Sequence, residues 1–262
     1  MTFSAMRIEV DQGLARLTFT DAARANPIDG PFCAELCEAA IQLSENPAVR
    51  CVLLTAEGPV FSYGADIGVF MADLDGLPGN IKRWTATLHS AIARLQRMDA
   101  PVVAAVHGVC AGGMSALVAG SDIVVAADNA MFVSAYAGIG YNCDAGASVM
   151  YTRRMGLGRA RKFLLLNEKM DAATALAAGL ADEVWPAESF AARAEEIARQ
   201  LASGPTRAFG EMRRLLTSAE DQPLEAQLEL EAQALARSAG TADAREGLTA
   251  FWEKRKPVFQ GR

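Results

Sequence analysis

The rhythm of apolar and polar positions changes along this chain and divides it in two. Near the start, Ile8-Glu-Val10 and Leu14-Ala-Arg-Leu-Thr-Phe19 alternate apolar with polar residues on either side of Asp11-Gln-Gly13, the pattern of a β-hairpin. Pro31 to Asn46 has the spacing of an amphipathic helix. Two short apolar runs, Cys51-Val-Leu-Leu-Thr55 and Pro101-Val-Val-Ala-Ala-Val106, read as buried strands. Strand-like and helical stretches alternate to about residue 130, which predicts stacked β-α units and an α/β fold. Asp73 to Asn80 carries Gly and Pro and reads as a mobile loop over the site. Asn80 to Met98 reads as a helix that stops short of Pro101, because proline disfavours helical backbone in its predecessor.

Beyond about residue 190 the pattern is helical only. Phe190 to Ala202 is amphipathic, Ser203-Gly-Pro205 breaks it, and Thr206 to Ser218, Leu224 to Ser238 and Thr241 to Glu253 follow. These helices carry more apolar surface than a lone helical hairpin could hide, so they are expected to pack on the core, on another subunit, or on both. The reading divides the chain into a core at 1–200 and a helical region at 201–262.

Composition narrows the function. With 262 residues and 51% hydrophobic content, the chain suits one large domain or a domain with a helical extension. A net charge of −6 with interspersed signs argues against a nucleic-acid surface. No apolar run reaches membrane-spanning length, and the first residues lack a secretion signal, so a cytoplasmic protein is expected. The five cysteines, Cys33, Cys37, Cys51, Cys110 and Cys143, are scattered, as expected of free thiols, and no metal-site spacing is present. No phosphate-cradling or dinucleotide glycine motif occurs, so no nucleotide cofactor is expected.

The candidate chemistry lies in two glycine-containing segments, each following one of the buried runs: Phe61-Ser-Tyr-Gly-Ala-Asp-Ile67 and Val106-His-Gly-Val-Cys-Ala-Gly-Gly-Met-Ser-Ala116. An unbonded backbone N–H at a helix start is a donor aimed at negative charge, and glycine lets a ligand approach it. Two such donors from separate loops can polarise one carbonyl and hold the enolate formed when the adjacent carbon loses a proton. The alternative is a pair of plain turns.

In order and spacing these segments resemble the crotonase superfamily of enoyl-CoA hydratases and isomerases. The similarity extends to Asn26-Pro-Ile-Asp29, Asp122-Ile-Val-Val-Ala126 and the closing Phe251-Trp-Glu-Lys-Arg-Lys-Pro-Val-Phe259. The resemblance implies a β-β-α spiral core with a C-terminal helical trimerisation region, a homotrimer or dimer of trimers, an acyl-CoA thioester as substrate, and no cofactor beyond that coenzyme A. It assigns the oxyanion donors to the amides of Ala65 and Gly113. Coenzyme contacts fall at Ala25, Ser62, Tyr63, Asp66 and Ile67, with Lys254 reaching a neighbouring subunit's coenzyme or simply solvated. Arg24 is a phosphate contact or a surface residue.

The family's hydratases use two glutamates, but Ala116 and Tyr136 occupy those positions here, so water addition by that mechanism is not expected. Asp144 matches the aspartate that shuttles a proton in isomerase members, or it is a turn or cap residue. Cys143 and Ala145 replace the usual Pro and Gly beside it. The acyl pocket is expected to be lined by Met71, Trp84, Leu88, Met114, Tyr136 and Ile139, with Met114 either narrowing it or packed in the core. Segments of the second half resemble the epoxyphenylacetyl-CoA isomerases. A rival resemblance is to the 4-chlorobenzoyl-CoA dehalogenases, in which Asp144 would be a nucleophile and His89 a base; otherwise His89 is an ordinary helix residue. A third reading is a non-catalytic acyl-CoA-binding protein.

Overall fold

The computed structural model describes residues 3–262. The chain opens with β1 (Met6–Asp11) and β2 (Leu14–Phe19), paired antiparallel across a turn in which Gln12 and Gly13 both take positive φ. Then come α1 (Gly30–Glu45), β3 (Cys51–Ala56), α2 (Ile67–Ala72), α3 (Leu77–Arg97), β4 (Val102–Val106) and β5 (Val109–Ala111). The middle contains α4 (Gly112–Ala119), β6 (Ile123–Ala127), β7 (Met131–Val133), α5 (Ala147–Leu165), β8 (Lys169–Asp171), α6 (Ala172–Ala178) and β9 (Glu183–Trp185). Four helices close the chain: α7 (Phe190–Ala202), α8 (Thr206–Ser218), α9 (Leu224–Ala239) and α10 (Ala242–Trp252).

Six strands form one sheet in the order β1-β2-β3-β4-β6-β9, parallel from β2 onward. Both faces of its centre are covered, which is why these strands read as unbroken apolar runs. Val52, Leu54, Val102, Ala104 and Val124 face the core shared with α1 and α3. Their alternating neighbours Leu53, Val103, Ala105 and Val125 face α7. A smaller sheet, β5-β7-β8, stands beside it. Single bridges Ser62↔Cys110 and Ile28↔Ala65 tie the glycine loop after β3 to this second sheet and to the segment before α1.

Most predicted elements are present, α7 and α8 with the expected bounds. One differs. The loop expected over Asp73 to Asn80 is only a short turn, because the Asp73 carboxylate accepts the Gly76 amide (2.9 Å) and α3 starts at Leu77 with Pro78 in its first turn. The part of α3 that lines the cavity, Ile81 to His89, lies within the limits its sequence implied.

A buried cation on α8 is one of the ties between the last three helices and the core. The Arg213 guanidinium donates to Asp122 Oδ1 (2.8 Å), Ala100 O (3.0 Å) and Leu95 O (2.7 Å), and also to Met98 O.

Candidate active site

The two glycine loops meet backbone to backbone. Asn26 begins the arrangement: its side-chain amide donates to the carbonyls of Glu57 (2.9 Å) and Phe61 (3.1 Å). Its carbonyl accepts the Ser62 hydroxyl (2.6 Å), and Ser62 Oγ accepts the Gly64 amide (2.9 Å). Gly64 lies at φ 83°, where an added Cβ would stand 2.8 Å from the Ala111 carbonyl. Only glycine allows this approach, and it brings Ala65 beside the first turn of α4. Gly113 in that turn abuts Ile28 and Ala145. Among the described residues, neither the Ala65 nor the Gly113 amide donates in any of the turn and cap bonds, and both residues line one cavity. α4 starts at the glycine pair, as its sequence predicts.

Asp144 enters the same cavity of about 500 Å³. Its Oδ1 lies 2.6 Å from His89 Nε2, in a pair bridging 55 residues of chain, and Tyr136 Oη donates to its backbone carbonyl (3.1 Å). Among the described residues Oδ2 has no protein partner and stays available to a ligand. Ala145 adopts φ 55°, a left-handed conformation that Gly would take without strain. The replacement has therefore kept the glycine-like backbone, and the acid still faces the cavity. Burial raises the Tyr136 hydroxyl well above the ordinary tyrosine value, so it remains a donor. Burial likewise pushes the Cys33 thiol, on the cavity wall, up to about 12 and leaves it protonated.

The walls are apolar and aromatic. Trp84, Leu88, Tyr136 and Ile139 line the cavity as expected, together with Tyr63 and Ile67. Two aromatic residues that sequence reasoning missed complete it: Phe70 is stacked on Trp84 (6.1 Å, 19°) and on Tyr141 (6.1 Å, 22°). Phe70 is three residues after Ile67, one helical turn on, a signal legible once α2 is drawn. Among the described residues, Asp144 is the only acid on the wall.

Six expected contacts do not line the cavity. Met114 is fully buried in the core, because α4 from Met114 to Ala119 is covered on all sides. Met71 is 64% exposed on α2, and Phe70 takes the inward place instead. Ser62 is buried and holds the loop from behind. Asp66 caps α2 by accepting the Val69 amide (3.0 Å), with its carboxyl held below the usual range by Arg24. Ala25 supplies a carbonyl to the Tyr63 amide (3.3 Å). Lys254 is exposed just beyond α10. Arg24 already meets three carboxylates, Asp21 (3.0 Å), Asp29 (2.8 Å) and Asp66 (2.6 Å), so its charge is largely compensated within the chain.

The chain as a whole has counterparts among known proteins. The chain is 34% identical to 1,2-epoxyphenylacetyl-CoA isomerase of Escherichia coli (strain K12), over 97% of each chain. It is 32% identical to 4-chlorobenzoyl coenzyme A dehalogenase-1 of an Arthrobacter species, over 94% of this chain and 90% of that one. Superposition on the crystal structure of an enoyl-CoA hydratase/isomerase from Cupriavidus metallidurans CH34 gives a TM-score of 0.91 at 29% identity, with 100% and 98% of the two chains covered. The sequence profile of the enoyl-CoA hydratase/isomerase family matches residues 9–262. Fold, loops and sequence together make this chain a member of the enoyl-CoA hydratase/isomerase family, within the crotonase superfamily.

Proposed function

We propose that the protein is an acyl-CoA isomerase. The single observation that carries this reading is the convergence of Ala65, Gly113 and Asp144 on one apolar cavity that holds no second acid. The thioester carbonyl accepts from the two amides, which stabilise its oxygen as the adjacent carbon loses a proton. Asp144 Oδ2 takes that proton and returns it to another carbon of the acyl chain, so one carboxylate completes the cycle. The His89 contact fixes the side chain so that Oδ2 does the carrying. A hydratase with two carboxylates has no counterpart here, since Ala116 is buried in the core and Tyr136 stays a neutral phenol. Coenzyme A enters as part of the substrate. The stacked Phe70, Trp84 and Tyr141 rings form a broad wall suited to a planar acyl group.

The assembly follows from the tail. Leu235, Leu248, Phe251 and Trp252 are 72%, 73%, 84% and 87% exposed, an apolar surface unlike that of a settled monomer. This face is the surface of a homotrimer, alone or stacked as a dimer of trimers. Lys254, next to it, is then placed to meet a neighbour's coenzyme.

A second reading is favoured by the 2.6 Å His89–Asp144 contact, which is also what an aspartate nucleophile with a histidine base requires. A coupled assay with 3-enoyl-, 2-enoyl- and 4-chlorobenzoyl-CoA separates the two. The isomerase reading expects a double-bond shift that Asp144→Asn lowers on the order of 10³-fold, and a drop of roughly tenfold or less for His89→Ala. Chloride release abolished by His89→Ala moves the dehalogenase reading to first place. Acyl-CoA binding with no turnover of any substrate leaves a binding protein.

A further inference from the structure

α1 and α3 run side by side, and the acyl cavity sits against their early turns, at Cys33 and from Ile81 to His89. At their other ends lies a larger cavity of about 730 Å³. Its walls are the end of α1 and the chain after it as far as Arg50, the end of α3 with Arg97, the start of α8 with Arg207, and the final segment with Arg262. It shares no lining residue with the acyl cavity.

The four arginines distinguish this cavity. Most arginines of the protein are ion-paired: Arg16, Arg24, Arg153, Arg154, Arg193, Arg213 and others each meet a carboxylate. Among the described residues, Arg50, Arg97, Arg207 and Arg262 form no ion pair. The one acidic side chain on the wall, Asp99, is held by Arg214 at 2.6 Å. Four arginines with no carboxylate partner among the described residues thus line one concavity in a chain whose net charge is −6. Like charges so gathered repel one another, and an anion between them relieves this.

The cavity is also built. Arg50 Nη2 donates to Gly204 O (2.7 Å) and Phe259 O (3.1 Å). The buried Asp243 carboxylate accepts the amides of Gln260 and Gly261, both at 2.7 Å. These bonds pin the final segment as a wall. A guanidinium matches phosphate oxygens with two parallel donors, and the volume is that of a small-molecule site, far larger than a simple ion needs.

We propose that this cavity binds a small molecule carrying adjacent phosphoryl groups, a pyrophosphate-type anion, at a site separate from acyl chemistry. A free nucleotide and coenzyme A both offer that group. The test is calorimetric titration of the full-length protein with sodium pyrophosphate, ADP and coenzyme A at low salt. Wild type should bind pyrophosphate saturably, one per chain. Arg97→Glu/Arg207→Glu alters two exposed side chains and should weaken that binding on the order of a hundredfold. Asp144→Asn should bind pyrophosphate as wild type does, and the double variant should keep acyl-CoA turnover and its unfolding temperature. Tight ADP binding identifies a nucleotide as the source. Two coenzyme A sites per chain, reduced to one in the double variant, identify coenzyme A. No saturable pyrophosphate heat in wild type, or equal binding by the double variant, overturns the proposal. Neither failure touches the isomerase reading, which uses none of these residues.

Discussion

The central sheet and the C-terminal helices are built on opposite principles. In β2, β3, β4 and β6 the buried positions are almost all aliphatic or aromatic, and the helices over them close both faces. In α8, α9 and α10 the buried residues include Thr206, Arg213, Gln227 and Asp243, while Leu216, Leu235, Leu248, Phe251 and Trp252 face outward. These helices bury two charged side chains, Arg213 and Asp243, and expose large apolar groups, the pattern behind the proposed interface with another chain. The cavity proposed for the chemistry is lined by residues between Ile28 and Asp144, none of them from the last three helices.

The strongest way to sharpen that contrast is to push the two glycine loops apart. Gly64→Ala forces a Cβ against the Ala111 carbonyl in a backbone conformation L residues avoid. Steady-state kinetics should show kcat falling by about 10² to 10³, as for loss of one oxyanion donor, with assembly state unchanged. Next is the tail: Phe251→Ser with Trp252→Ser should shift the protein to monomers in sedimentation analysis while far-UV circular dichroism keeps the core signal. If the pair stays assembled, the outward face is not the interface.

A smaller effect belongs to the buried thiols. Burial pushes the Cys33 and Cys51 thiols up to about 12 from an ordinary value near 9. The folded state therefore holds protons that the unfolded chain releases, so stability is intact below about pH 9 and declines from there toward pH 12. Denaturant titrations across that window should show the decline, and Cys33→Ala should flatten part of it. Smallest of all is Ala145→Gly. It relieves the left-handed backbone beside Asp144 and should stabilise by about 1 kcal/mol in thermal unfolding. If it destabilises, the loop carries no such strain.

Much of this molecule was legible in its order of residues. The bounds of α7 and α8, the buried runs and the glycine loops follow from local spacing and residue type, which travel with the chain; that Ala116 and Tyr136 stand where hydratases carry glutamates is what the family resemblance implies. Asp144 was legible for the same reason: its segment carries the motif. Tertiary structure alone decided the rest. His89 and Asp144 share a hydrogen bond across 55 residues, Phe70 joins Trp84 to Tyr141 from three different segments, and Met114 turns into the core while Phe70 takes the place expected of Met71. Four arginines from four distant stretches meet in one hollow. Periodicity says which face of an element is apolar; which other element that face meets is set by packing the whole chain at once.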